Sequence, residues 1–448
     1  MRWSSRSFAV MWSGILLSAV FPFALGAAFG LFALAAIQCG HRARFAALAA
    51  LTLAASPLAF LLLLLVLGGA ALGSNVARRK LAGPTVAIAA LIALECLLWL
   101  LFPAGGTFPF HLIDLLGALS FACVGAALTK AVPRAKPLFW FFLIYAAACC
   151  GSYLLPTELG ANVIRLRFTA FPVALLVLAL RNWRPLPVAF AVAALAFAWN
   201  TEPFLRGVLV SHDDPEASAA YWRPAVNFLR AHANRSFRVE AVDTALHSPA
   251  LYLASAGIPL ARGWFRQDDF PVNKILYGSG LASNGYLRWL RELGVDYVVL
   301  STAPPDYSSR AEAALLRSSR SGLPAVFHDG HLTIFRVPHA QPIVVGPARA
   351  RVLTFGAERI ELSLRRPGWY RIAVRYSPYW HTSNGCLEKS RNGMLELNAV
   401  RARSASIAFE VTGRSLLKAL VDTTSNCPAP ARVTGPRGLG TRLLMGES

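Results

Sequence analysis

Residues 45–72 read FAALAALTLAASPLAFLLLLLVLGGAAL, an apolar run with no charge in it. A straight helix crosses the hydrocarbon core of a bilayer with about 20 residues, so this run is too long for one crossing. It also carries its own break at Ser56-Pro57, because proline has no amide hydrogen and its ring clashes with the preceding turn. Arg42 and Arg44 precede the run, and Arg78, Arg79 and Lys80 follow it. Basic residues mark the cytoplasmic flanks of membrane helices, so both ends belong on one side and the run crosses an even number of times. The expectation is a broken helical hairpin turning at Ser56-Pro57.

Working outward, residues 84–102, 110–128 and 138–155 each suit one crossing. Residues 8–37, interrupted at Phe21-Pro22, form a second overlong run. Residues 168–180 and 186–199 are short and are separated by Arg181, Trp183 and Arg184. Lys130, Arg134 and Lys136 mark a further cytoplasmic loop, and Arg181 with Arg184 the last. The alternate loops, around 103–109 and 155–167, hold only Arg165 and Arg167 as basic residues. The expected fold is an α-helical polytopic membrane domain over residues 1–200, with about seven to eight crossings including the broken hairpin. Everything after Trp199 is then extracytoplasmic, in a multi-pass protein of the cell membrane. If 8–37 crosses once, Arg2 and Arg6 lie outside, against the charge bias; a signal peptide, although no small-residue cleavage pattern stands out, and a chain that begins inside a larger membrane domain are the two open explanations.

Composition agrees. Of 448 residues, 44 are Lys or Arg and 23 Asp or Glu, with 55% hydrophobic. Only Glu95, Asp114 and Glu158 are acidic before residue 200. This excludes a wholly soluble enzyme, a disordered protein and a disulfide-rich mini-domain. The formal charge of +21 is explained by cytoplasmic loops and anionic membrane lipid, so no nucleic-acid partner is expected.

After about Glu202 the pattern changes. Helical periodicity over 221–232, 285–293 and 311–318 interleaves with strands over 237–242 and 295–300, and a hairpin of 325–328 with 332–337 turns at Asp329-Gly330. An extracytoplasmic α/β module over 201–340 is expected. Strands over 360–364, 370–376, 394–397 and 407–411, with turns at Pro367-Gly368 and Asn392-Gly393, read as a small β-sandwich over 341–428. A flexible tail, 429–448, follows. Five cysteines lie in or beside the apolar runs, leaving only Cys386 and Cys427 in the soluble half, where an extracytoplasmic location favours a disulfide between them.

Charge inside a membrane is costly and points to function. Glu95, within LIALECLLWLL, reads either as a proton relay or as a neutral group bonded between helices. His111 and Asp114 share a helix face and could form a base with its orienting partner, or a plain interfacial pair. The segment PTELGANVIRLR (156–167) places Glu158, Asn162, Arg165 and Arg167 together. Arginine grips phosphate through a planar fork of donors, which makes Arg165 the first candidate for a lipid phosphate, with snorkelling to the interface as the alternative. In the soluble half Arg262, Trp264 and Arg266, within ARGWFRQDD, and Trp380, within YSPYW, suit a glycan contact or a domain contact. No nucleophile motif, zinc motif or phosphate-binding glycine loop occurs, and no metal or cofactor is expected.

Several stretches resemble the polytopic envelope proteins of the GT-C glycosyltransferase superfamily, in particular the group described as 6-pyruvoyl-tetrahydropterin-synthase-related membrane proteins. They are FPFALGAAFGLFALAA (21–36), LTLAASPLAFLLL (51–63), ELGANVIRL (158–166), PLARGW (259–264), VDYVVL (295–300) and SPYW (377–380). The resemblance implies transfer of a sugar from a polyprenyl-phosphate donor to an envelope glycan or glycolipid acceptor at the outer face. By position, it makes Glu158–Arg167 a lining of the lipid-phosphate site. The superfamily's acidic residue in the first extracytoplasmic loop has no counterpart here, since the sequence resembles the family from a later helix onward. A recorded start that is too late and a shortened, inactive form are both open expectations. On the enzyme reading Arg165, Arg167 and Asn162 hold the donor phosphate, with Asp114, Glu158 and His111 as candidate catalytic groups. A non-catalytic envelope protein binding lipid or glycan, and a transporter or flippase using Glu95, are the alternatives.

Overall fold

The computed structural model describes residues 2–17, 20–74, 78–101, 106–263, 266–278, 280–420 and 427. The chain forms two compact units, Met1–Ser218 with Trp264–Lys274, and Ala219–Gly263 with Ile275–Ser448.

The first unit is helical: α1 (Arg2–Leu17), α2 (Phe21–Gln38), α3 (Arg42–Ala55), α4 (Pro57–Gly73), α5 (Arg78–Leu101), α6 (Leu112–Lys130), α7 (Lys136–Leu154), a 3-10 segment Gly160–Thr169, α8 (Ala170–Leu180) and α9 (Leu186–Asp213). Among the described residues six stretches are long and apolar enough to cross a membrane: Phe21–Gln38, Gly83–Leu101, Leu112–Lys130, Pro133–Leu154, Gly160–Leu180 and Leu186–Leu209. Pro57–Gly73 is apolar but shorter. The helical half is thus compatible with a multi-pass membrane protein.

The break at residue 56 is a shared cap. Ser56 is extended (φ −164°, ψ 111°), and its amide donates to the Thr52 carbonyl, closing α3. Its hydroxyl accepts from the Ala59 amide at 3.3 Å, opening α4. Pro57 occupies the first helical turn, where no amide hydrogen is needed. Phe45, Ala49 and Leu53 of α3 and Phe60 and Leu63 of α4 bury into one cluster with Ala33 of α2. In lipid, helices associate by close packing and not by the hydrophobic effect. Gly69 and Gly73 of α4 supply this against α7: an added Cβ would lie 2.8 Å from the Phe141 amide nitrogen and 2.4 Å from Pro137, respectively.

Two expectations change here. Residues 156–167 are not an open loop; from Gly160 they form a ten-residue 3-10 helix running directly into α8, with Val163, Ile164, Leu166 and Phe168 buried. Runs of this geometry beyond three or four residues are uncommon. The segment also lengthens the short 168–180 run into a stretch of spanning length. Likewise, α9 does not stop at Trp199 but continues to Asp213. Asn200 and Glu202 each have a partner within the helical unit: the Asn200 Oδ1 accepts from the Phe171 amide at 3.2 Å, and Glu202 pairs with Arg167 at 3.2 Å. The division between the compact units falls after Ser218.

The second unit begins with α10 (Ala219–His232), β1 (Arg238–Ala241) and α11 (Ser248–Ser255); α12 (Arg266–Val272) groups with the first unit. α13 (Ser283–Glu292), β2 (Val295–Ser301), α14 (Arg310–Arg317), β3 (Ala325–Asp329) and β4 (Leu332–Arg336) follow. The strand order is β1-β2-β4-β3, with β1 parallel to β2 and the other pairs antiparallel. Trp222 and Leu229 of α10 and Leu253 of α11 cluster with Val239, Val299 and Ile334. Tyr286 and Leu290 of α13 and Leu316 of α14 cluster with Val298, Leu300 and Phe335. The α/β module is therefore a sheet with a helical layer on each face.

The sandwich strands are β5 (Val344–Val345), β6 (Arg351–Phe355), β7 (Arg359–Ser363), β8 (Gly368–Arg375), β9 (Trp380–Thr382), β10 (Cys386–Lys389), β11 (Met394–Ala399) and β12 (Ser404–Phe409), with α15 (Gly413–Leu420) after them. They form two four-stranded sheets, β10-β11-β8-β5 and β6-β7-β12-β9. Inward-facing Leu362, Tyr370, Ile372, Leu395, Leu397 and Ile407 fill the space between. Cys386 and Cys427 are joined in a disulfide, as expected. The expected tail, 429–448, lies outside the described residues.

Candidate functional site

The 3-10 segment is positioned by a glycine. Gly160 has φ +41°, and a Cβ there would lie 2.1 Å from the Phe108 carbonyl oxygen. Only glycine permits this backbone contact. The Phe108 amide donates to Thr157 at 3.0 Å, and the Ser152 hydroxyl donates to the Gly160 carbonyl at 2.8 Å. These bonds bring the loop before α6 against the start of the segment.

Three residues per turn place Asn162, Arg165 and Phe168 in one row. Arg165 is half-buried, with its guanidinium carbon 5.6 Å from the centroid of the Phe23 ring on α2. It makes no hydrogen bond or ion pair among the described residues. A cation over an aromatic face contributes about 0.5–2 kcal/mol, whereas placing an arginine at the centre of a membrane helix costs about 3 kcal/mol. The ring alone does not offset burial of the charge.

Arg167 is treated differently. Its Nη1 lies 3.2 Å from Glu202 Oε2, and Arg206 approaches the other oxygen of that carboxylate at 3.9 Å. Asp114 and Tyr145 also act electrostatically on Arg167. Asp114 and Arg167, chosen from sequence, therefore belong to one charged group, together with Glu202, Arg206 and Tyr145, which the sequence reading missed. Tyr145 is fully buried on α7 with its hydroxyl beside the Cys149 thiol, and among the described residues Asn200 Nδ2 on α9 has no hydrogen-bond partner.

The remaining candidates separate. His111 is exposed and N-terminal to α6, and no side-chain hydrogen bond joins it to Asp114. The expected base-and-orienter pair is not assembled. Asn162 Nδ2 reaches the Glu158 carbonyl at 3.5 Å, the outer limit of a hydrogen bond, and Glu158 is half-buried without an ion pair among the described residues. Glu95 continues the α5 stripe of Pro84, Ile88 and Leu91 and has no ion pair or hydrogen bond among the described residues.

In the second unit two proposed glycan contacts are corrected. Arg262 is not presented at a surface. Its side chain is 2% exposed, its Nε lies 3.4 Å from Glu240 Oε1, and it donates to the Ser309 hydroxyl. Trp380 is 6% exposed, stacks edge-on to Phe409 and belongs to the sandwich core. An aromatic next to a proline and tyrosines looks the same in sequence whether it faces a sugar or a core. Trp264 lies outside the described residues, and Arg266 falls on α12.

No protein-family model matches the chain, and no curated protein and no solved structure matches it.

Proposed function

We propose that this chain is an integral membrane protein of cell-envelope glycan or glycolipid assembly that holds a polyprenyl-phosphate-linked sugar at the outer face. The observation that carries the reading is Arg165, a half-buried guanidinium braced on Phe23 with no anionic side chain paired to it among the described residues. Arg167 is already neutralised by Glu202, so Arg165 takes the phosphate, Asn162 stands one 3-10 turn before it, and Arg167 shapes the site. The basic flanks support the orientation: Arg42, Arg44, Arg78–Lys80, Lys130–Lys136, Arg181 and Arg184 lie inside and the residues after α9 outside. At about 21 and 26 Å, α3 and α4 are each short of the hydrocarbon core, and together they form the broken hairpin.

On the enzyme reading, the GT-C resemblance implies sugar transfer to an envelope acceptor. Asp114 or Glu158 then removes the acceptor proton, and Arg165 stabilises the phosphate that leaves with the carrier. A non-catalytic, lipid-phosphate-binding protein is the second reading. The separation of His111 from Asp114 favours it, because among the described residues no base stands with an orienting partner at that position. The purified chain in nanodiscs, given a polyprenyl-phosphate sugar and glycan acceptor, separates the two. Transfer that falls at least 100-fold in Asp114→Asn or Glu158→Gln, with folding intact, establishes the enzyme. Binding without turnover establishes the second reading, and absence of binding sinks both.

A further inference from the structure

The β-sandwich carries a second basic feature, unrelated to the helical unit. Three loops converge at one end of it: 346–350 between β5 and β6, 364–367 between β7 and β8, and 400–403 between β11 and β12. The register requires this, since Ser404 and Arg351 both pair with Ser363, and Ala399 pairs with Gly368. The Leu364 amide donates to the Arg403 carbonyl at 3.2 Å, and Pro347 packs on Gly368. These loops and the strand start beside them carry Arg349, Arg351, Arg365, Arg366, Arg401 and Arg403, all exposed. They contain no acidic residue, and none of the six arginines has an ion pair among the described residues.

The backbone beneath them is fixed. Asn384, 2% exposed, donates to the Arg401 carbonyl at 2.9 Å and accepts from the Arg401 amide at 3.2 Å. The buried Tyr370 donates its hydroxyl to the Arg366 carbonyl at 2.7 Å. Beside the arginines stand two exposed apolar side chains, Trp369 at 45% and Val400 at 63%. Like charges collected on a rigid rim repel one another and persist where an anionic surface neutralises them together.

We infer that this end of the β-sandwich is a docking surface for an anionic lipid bilayer, with the six arginines on the headgroups and Trp369 and Val400 in the interface. Tryptophan is at home at headgroup level, and Val400 gains from an acyl boundary what a polyanion in solution cannot provide. The helices of the same chain also keep it at a membrane, which raises the effective concentration of lipid surface. Each arginine brought to such a surface strengthens binding by about fivefold.

The test is amide hydrogen exchange of the full chain in nanodiscs of phosphatidylcholine alone and with phosphatidylglycerol. The inference expects exchange in 346–350, 364–367 and 400–403 to slow at least fivefold in the anionic discs, with β8 and β11 unchanged. The difference should vanish in R365E/R366E/R401E/R403E, vanish in wild type at about 0.5 M salt, where screening acts within about 4 Å, and shrink in Trp369→Ala. Equal exchange in the two discs overturns the inference. So does equal or greater protection of these loops by an anionic polysaccharide or oligonucleotide added to phosphatidylcholine discs. The wild-type salt series keeps the test decisive if the fourfold variant does not fold.

Discussion

Arg165 in the helical unit is half-buried and Arg262 in the second unit is fully buried, and their surroundings are opposite. Arg262 meets the buried carboxylate of Glu240 and the Ser309 hydroxyl. Among the described residues Arg165 has the Phe23 ring beside it and no hydrogen bond or ion pair. A buried charge with a partner of opposite sign holds a structure together, and removing one member strands the other. A buried charge without one is a standing cost, which a protein retains when the missing anion is a ligand. On the proposed function, Arg262 is a structural cation and Arg165 a binding one, a distinction that residue type and local sequence do not make.

The comparison breaks most sharply at Arg262. Arg262→Ala should destabilise the soluble unit by about 3–5 kcal/mol, because Glu240 stays buried without its partner. Chemical denaturation followed by the tryptophan signal, or protease resistance, reads this; a variant as stable as wild type would remove Arg262 from the structural side. Next in size is Gly160→Ala, which should cost about 2 kcal/mol through its left-handed backbone and the contact with Phe108. It should weaken lipid-phosphate binding as well, by shifting the segment that carries Arg165. Loss of stability with unchanged binding would separate the segment from the site.

A smaller effect lies in Asp296, whose carboxyl burial pushes up to about 7. The folded state then binds this proton more tightly than the unfolded chain, so protonation stabilises the soluble unit. That stability is present near pH 4, is lost as pH rises through 7 and stays lost above it. Asp296→Asn should raise the Tm of this unit at pH 8 by a few degrees and flatten its dependence between pH 5 and 8. A melting series across that range checks both.

Much of the fold was legible because the residues that decide it are neighbours in sequence. Ser56-Pro57 ends one helix and caps the next without help from elsewhere. The helices over 84–102, 110–128 and 138–155 follow from apolar length, and α10, α13 and α14 from helical period. The disulfide followed from the soluble half having only two cysteines. What failed depended on distant partners. Asn200 and Glu202 look like a helix exit until Phe171 and Arg167 satisfy them. Pro156 and Gly160 look like an open loop until the backbone of Phe108 occupies the space a side chain would need. The same holds for the site. Arg165 stands out as one of two basic residues in its loop, but Phe23, Tyr145 and Glu202 come from α2, α7 and α9 and give no local signal. For Arg262 and Trp380 the sequence left a sugar contact and a structural contact open, because aromatic and guanidinium groups serve cores and sugar sites alike.

The central claim is that the charge of Arg165 is kept for a ligand and not for the fold. It is tested most directly by thermal unfolding of wild type and Arg165→Ala in nanodiscs, with and without added polyprenyl phosphate. The account predicts that the ligand raises the Tm of wild type and leaves that of Arg165→Ala unmoved. Without ligand, the variant should match or exceed wild type to within about 1 kcal/mol, having lost an unpartnered charge. A ligand-free variant that melts well below wild type, or one that still responds fully to polyprenyl phosphate, would contradict it.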